Sequence, residues 1–182
     1  MSKTIPMLLD EFIATMHWYR LALITVILDQ VTKLVMSKDL EYGQPVEILP
    51  VFNLMLAHNK GAAFSFLHDA GGWQRWLFSG LAAVVSVVLL VWIRRARTQG
   101  QLLLSAALSL VLGGAVGNLV DRLRFGYVVD FLSFHWGEHY FPAFNLADTA
   151  ITVGAGLMLL DMLINPEHHS SDKKSVAEGK TK

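Results

Sequence analysis

Three aspartates, two asparagines and two arginines lie between two long apolar runs, in the stretch GGAVGNLVDRLRFGYVVDFLSFHWGEHYFPAFNLAD from Gly113 to Asp148. Ionisable groups at the edge of a hydrocarbon slab are costly, so those kept there do chemistry or bind something. Asp130 and Asp148 are eighteen positions apart, and the segment between them is long enough for a loop to fold back and join the two carboxylates. Two carboxylates in one low-dielectric site do not both ionise easily, so one keeps a proton. The ionised one then activates water while the protonated one polarises a carbonyl, which is aspartic-protease chemistry. The plainer alternative is that each caps a helix or pairs with an arginine.

Other polar groups fall around this pair. Asp121 and Arg122 read as an ion pair or as polar support at the outer end of the third apolar run. The planar fork of Arg122 also suits a carbonyl or a lipid headgroup. Asp29, Gln30 and Lys33 interrupt the first apolar run, and Asp29 and Lys33, four apart, share a helix face. At mid-bilayer each charge costs about 2.5–3.5 kcal/mol on insertion scales, so they are expected to face the bundle interior near the carboxylates. Asn118-Leu-Val-Asp121 and Asn145-Leu-Ala-Asp148 echo one another. Gly113 and Gly117 form a GxxxG, a signature of close helix packing. His135-Trp-Gly-Glu138-His139 fits an H-x-x-E-H zinc pattern. That pattern works only on a helix, and Gly137 with Pro142 nearby indicates an interfacial loop, so no metal is expected. His58 reads as a surface strand residue.

The elements that must position these groups follow from composition. Of 182 residues, 53% are hydrophobic and 16% charged, more apolar than a soluble domain. Lysine plus arginine equals aspartate plus glutamate at 15 each, so no field favours nucleic acid. The absence of cysteine excludes disulfides and thiol catalysis. Long apolar segments run over 18–36, 73–93, 102–120 and 144–164. Each is close to the roughly 20 residues that cross a bilayer. The expected fold is an all-α membrane protein with four transmembrane helices and a small β-sheet cradle on the outer face. Most lysines and arginines, including the Arg94, Arg95 and Arg97 turn, fall on one side if both termini are cytoplasmic. Residues 1–17 are expected to be a retained cytoplasmic segment, with Ile5–Ile13 a short interfacial helix. Residues 18–164 form the membrane domain, and 165–182 a disordered cytoplasmic tail. Two outer segments remain, Ser37–Gly72 and Asp121–Ala143. Within the first, VEILPVFNLMLAHN alternates and is rich in β-formers, so short strands are expected there.

Five ordered motifs carry a family resemblance: DQVTK at Asp29–Lys33, NKGAAFS at Asn59–Ser65, GNLVDR at Gly117–Arg122, VVDF at Val128–Phe131 and FNLAD at Phe144–Asp148. Together they resemble bacterial lipoprotein signal peptidase (signal peptidase II), over all four segments from Trp18 to Ile164. Lys60 departs from the family, which often has threonine there. The resemblance implies a metal-free, cofactor-free aspartic endopeptidase of the bacterial inner membrane, working as a monomer near the periplasmic face. Its partners would be membrane lipids and lipid-modified prolipoproteins, cut just before the diacylglyceryl-modified cysteine. Asp130 and Asp148 would be catalytic. Asp29, Gln30, Lys33, Asn59, Gly61, Asn118, Asp121, Arg122 and Asn145 would bind substrate or brace the site. An ion-coupled transporter built on Asp29, Lys33, Asp121 and Asp148 is the main rival, but it calls for charges spread through the membrane depth. Here they cluster at the outer edge, Asp161 excepted. A structural scaffold gives no reason for such costly groups.

One observation separates the aspartic from the zinc reading. Cleavage of a lipid-modified prolipoprotein by the purified protein is expected to persist in excess chelator. Silencing by chelator would return attention to His135, Glu138 and His139.

Overall fold

The computed structural model describes residues 4–61 and 72–167. The residues of the NKGAAFS motif beyond Gly61, and residues 168–182 of the tail expected over 165–182, lie outside the described residues. In chain order the elements are α1 (Thr4–Asp39), β1 (Val46–Leu49), β2 (Phe52–Asn59), α2 (Trp73–Thr98), α3 (Leu102–Phe125), β3 (Val128–Trp136), β4 (His139–Tyr140) and α4 (Leu146–Ile164).

Helices α2, α3 and α4 are each long and apolar enough to cross a membrane. Their outward faces carry large exposed side chains such as Val84, Val87, Val91, Leu159 and Leu163. Such faces suit lipid as the solvent, because a helix satisfies its own backbone hydrogen bonds there. The first apolar run lies within α1, which passes residue 17 without a break. The interfacial helix expected over Ile5–Ile13 is therefore part of one long continuous helix, not a separate element.

Helix α3 is the central post and packs against α1, α2 and α4. Small residues let the backbones come close. A Cβ on Gly113 would meet the Thr25 side chain at 2.6 Å and the Ala22 carbonyl at 2.8 Å, both on α1. On Gly114 it would run into the Ala147 carbonyl of α4. On Gly117 it would lie 2.5 Å from Asp29 Oδ2. The GxxxG is thus a seat for α1. Nearer the other end, Ala22, Leu89, Ile93, Ala96, Leu104, Leu108 and Leu112 form the apolar core shared by α1, α2 and α3.

Gly126, at φ 85° in the left-handed region, ends α3, and the chain enters β3 two residues later. The sheet has the order β1-β2-β3-β4, antiparallel throughout, with Ala57 opposite Asp130, Asn59 opposite Val128 and Trp136 opposite His139. Strands were expected in the first outer segment, and β1 and β2 lie there. The second outer segment differs from its expected loop: it supplies β3, so Asp130 sits on an interior strand. The run VVDFLSFHW is rich in β-branched and aromatic residues, the composition that favours a pleated surface. Asp121 and Arg122 belong to α3, which runs one turn beyond its apolar part.

Because the Gly117 contact is with a buried carboxylate, Gly117→Ala must displace Asp29. We expect a loss of about 1–3 kcal/mol, typical of overpacking, read as a lower Tm in detergent. An unchanged Tm would contradict the packing described.

Candidate active site

Helix α1 supplies the base of the site. Asp29 is fully buried and Lys33 nearly so, and the Lys33 ammonium lies 2.9 Å from both Asp29 Oδ2 and Asp121 Oδ2. It also donates to Asn118 Oδ1 at 2.9 Å. One cation therefore ties two carboxylates and an amide. Gln30 Nε2 donates to Asp121 Oδ1 at 2.8 Å and to the Gly117 carbonyl at 3.2 Å. The expected Asp29–Lys33 pair is present, but Asp121 pairs with Lys33 and not with its neighbour Arg122.

From this base two arms rise. Asp29 Oδ1 accepts the Ala147 backbone N–H at 2.9 Å and fixes the start of α4. Asp121 Oδ2 accepts the Val129 N–H at 3.0 Å and fixes β3 beside Asp130. Both bonds satisfy buried backbone donors.

Asn118 and Asn145 form the bridge between the two expected catalytic carboxylates. Asn118 Nδ2 donates to Asp148 Oδ1 at 2.7 Å, and Asn145 Nδ2 donates to Asp130 Oδ1 at 2.7 Å. The amides touch each other through Asn145 Nδ2 and Asn118 Oδ1 at 3.2 Å. The two asparagines of the sequence echo are thus neighbours, each holding one aspartate.

Asp148 has a second task. It is the third residue of α4 in a capping box: its N–H donates to Asn145 Oδ1 at 2.9 Å, and its Oδ2 accepts the Asn145 N–H at 3.3 Å. The helix-cap reading holds for this residue, and the same carboxylate also accepts the Asn118 amide. Asp130 is buried, and burial pushes its carboxyl up to about 7. The Asp148 charge acts in the same direction. Hydrogen bonds from Asn59 and Asn145 and the Lys33 charge oppose it. The turn carrying Asn59 is closed by the Gly61 N–H, which donates to Asn59 Oδ1 at 2.8 Å.

Arg122 is the outlier. It donates to the Asn118 carbonyl at a long 3.4 Å, and its guanidinium lies over the Phe78 ring at 5.6 Å. No carboxylate is within ion-pair distance of it among the described residues. Phe78 gave no sign in the sequence, being one aromatic in an apolar run.

Two apolar hollows adjoin the site. One of about 460 Å³ runs from Phe141–Phe144 past Asp148 to Thr152 and Val153 on α4. The other, about 700 Å³, lies between Val51 and the β3–β4 hairpin and shares Phe141 and Phe144 with the first. His135 and His139 stand on the paired strands of that hairpin, so the helical geometry their zinc pattern requires is not formed. Among the described residues no cluster of metal-ligating side chains is found. His58 is half-buried on β2 and stacks on Tyr127 at 4.0 Å, and burial lowers its pKa, with Lys60 adding to the effect.

The sequence pattern of the Signal peptidase (SPase) II family matches residues 21–164. A lipoprotein signal peptidase of Acinetobacter baylyi is 51% identical over 144 residues, 79% of this chain and 80% of that one. One of Teredinibacter turnerae is 53% identical, covering 83% of this chain and 89% of its own. A solved bacterial membrane enzyme, obtained by the in meso method at 2.3 Å resolution, superposes with a TM-score of 0.71 at 31% identity. That match covers 84% of this chain and 90% of the other.

Removing a buried cation leaves its anions uncompensated. Lys33→Met is expected to cost about 3–5 kcal/mol, seen as loss of the folded protein or a much lower Tm. A variant as stable as wild type would show that the network does not hold the helices.

Proposed function

This chain belongs to the signal peptidase II family, and from that premise we propose that it removes the signal peptide from diacylglyceryl-modified prolipoproteins, cutting before the lipidated cysteine. It is a peptidase in a multi-pass membrane protein. Asp130 and Asp148 are the catalytic pair. The observation that carries this is the Asn118–Asn145 bridge, which holds one carboxylate from a strand and one from a helix in a single hydrogen-bonded unit.

The division of labour follows from environment. Asp130, buried and with its carboxyl raised to about 7, holds the shared proton and polarises the scissile carbonyl. Asp148, in the first turn of α4 where the Asn145 N–H donates to it, takes the proton of the attacking water. Collapse of the tetrahedral intermediate returns a proton to the leaving amine. This chemistry uses two carboxylates and water, and needs neither metal nor cofactor. Arg122, with donors to spare, binds a substrate carbonyl, and Asn59 and Gly61 line the same side. The apolar hollow along Asp148, Thr152 and Val153 suits an acyl chain entering from the bilayer.

In this reading α1 is the fourth transmembrane helix, its 36 residues being ample for a span that needs about 20. Its charges Asp29 and Lys33 are neutralised inside the bundle. The unit of residues 18–164 sits in the bacterial inner membrane as a monomer. Both termini, 1–17 and 165–182, are cytoplasmic, and the sheet and carboxylates lie near the periplasmic face.

The test is turnover of a lipid-modified prolipoprotein by wild type, Asp130→Asn and Asp148→Asn in detergent. Each variant is expected to lose about 10²–10⁴-fold in kcat. Near-normal turnover in either would remove that residue from the reaction. Asp148→Asn also loses a capping bond, so its Tm should fall by the equivalent of about 0.5–2 kcal/mol. For pH, the active form keeps the proton on Asp130. Activity is retained while that proton is bound and lost as pH rises through its pKa, so kcat/KM is expected to decline above about pH 7. A flat profile to pH 9 would contradict the assignment.

A further inference from the structure

The ring of Phe78 on α2 touches both the turn that holds Asn59 and the Arg122 side chain. A Cβ placed on Gly61 would lie 2.6 and 2.7 Å from two Phe78 ring carbons, so the glycine backbone rests directly on the ring. The Gly61 N–H in turn fixes Asn59 Oδ1, and the Asn59 side chain hydrogen-bonds Asp130. The same ring meets Arg122, its guanidinium 5.6 Å from the ring centroid. A guanidinium over an aromatic face is held by the ring quadrupole.

What that contact prevents is visible in the charges. The carboxylates acting on Arg122 are Asp148 of α4, Asp130 of β3 and Asp121 of α3. Yet none of them is within ion-pair distance of it among the described residues. Asp121 is already engaged by Lys33 of α1. The other nearby cation on α2, Arg75, is directed to the Leu123 carbonyl at 2.7 Å. The two carboxylates open to Arg122 are therefore the proposed catalytic ones. Pairing with either would occupy an oxygen that the reaction requires.

We propose that Phe78 is a positioning residue of this peptidase: its ring seats the Asn59–Gly61 turn and holds Arg122 beside the two catalytic carboxylates without letting it pair with them. This rests on the assignment of Asp130 and Asp148 above. Arg122 is thereby kept free to meet the substrate.

The experiment compares kcat/KM against pH for wild type, Phe78→Leu and Phe78→Tyr in detergent, with a lipid-modified prolipoprotein. Phe78→Leu removes the ring face, and Arg122 then pairs with the carboxylates and favours the ionised form of Asp130. Its kcat/KM at pH 7 is expected to fall about ten-fold, and the decline at high pH to move about one unit lower. Phe78→Tyr keeps the face and is expected to match wild type in both respects. If Phe78→Leu does not fold, Phe78→Met, which fills the space without a π face, takes its place. A lower rate with an unmoved profile would mean packing alone and would overturn the proposal. So would a Phe78→Tyr variant as impaired as Phe78→Leu. Asp130→Asn is run alongside. Retained activity there sinks the catalytic pair, whereas a dead Asp130→Asn with an unmoved Phe78→Leu profile sinks only the role of Phe78.

Discussion

The buried ammonium of Lys33 is the interaction on which the rest of the structure depends. Its contacts with Asp29, Asp121 and Asn118 are all 2.9 Å, and all three partners go on to hold something else. Asp29 fixes the first turn of α4, Asp121 fixes β3, and Asn118 holds Asp148. A single positive charge thus sets the positions of the strand and the helix that carry the two carboxylates. Such a buried pair is weak evidence for added stability, because desolvation offsets much of the attraction. Its value here is directional: every partner has one place in which its charge or amide is satisfied.

This polar base needs backbones close enough for short side chains to reach. Gly113, Gly114 and Gly117 provide that on α3, against α1 and α4. In a bilayer no hydrophobic force gathers helices, so close packing and interhelical hydrogen bonds must do it. The fold uses both along one helix. The glycines bring α1 within reach, and Asp29, Gln30 and Lys33 then bond across the contact. The outward faces of α2 and α4 stay apolar, as lipid requires.

The carboxylates differ because their elements differ. Asp130 enters from an interior strand and has lost its water, which favours the neutral acid. Asp148 enters from a helix start, where the capping box orients it and the Asn145 N–H donates to it. A strand on one side and a helix end on the other give two identical side chains unlike surroundings, which the proposed acid and base roles require. The Asn118–Asn145 bridge keeps them in register while leaving each its own environment.

The sequence alone determined which residues could matter. Charges in apolar segments are rare because they are costly, so Asp29, Lys33, Asp121 and Arg122 stood out by type and position. The helices were legible because their apolar lengths match a bilayer, and β1 and β2 because of their alternation. Partnership was not legible. Adjacency suggested Asp121 with Arg122, but a helix points neighbouring residues about 100° apart, and packing against α1 gave Asp121 to Lys33. The segment before α4 read as a loop because strand pairing is non-local: β3 has its partner β2 some seventy positions earlier in the chain. Phe78 was invisible for the same reason, since nothing in an apolar run tells which ring will face a glycine turn and an arginine. Composition and spacing marked the groups that could do chemistry, and the family resemblance said which chemistry to expect; only the packing of α3 on α1, α2 and α4 decided which groups meet.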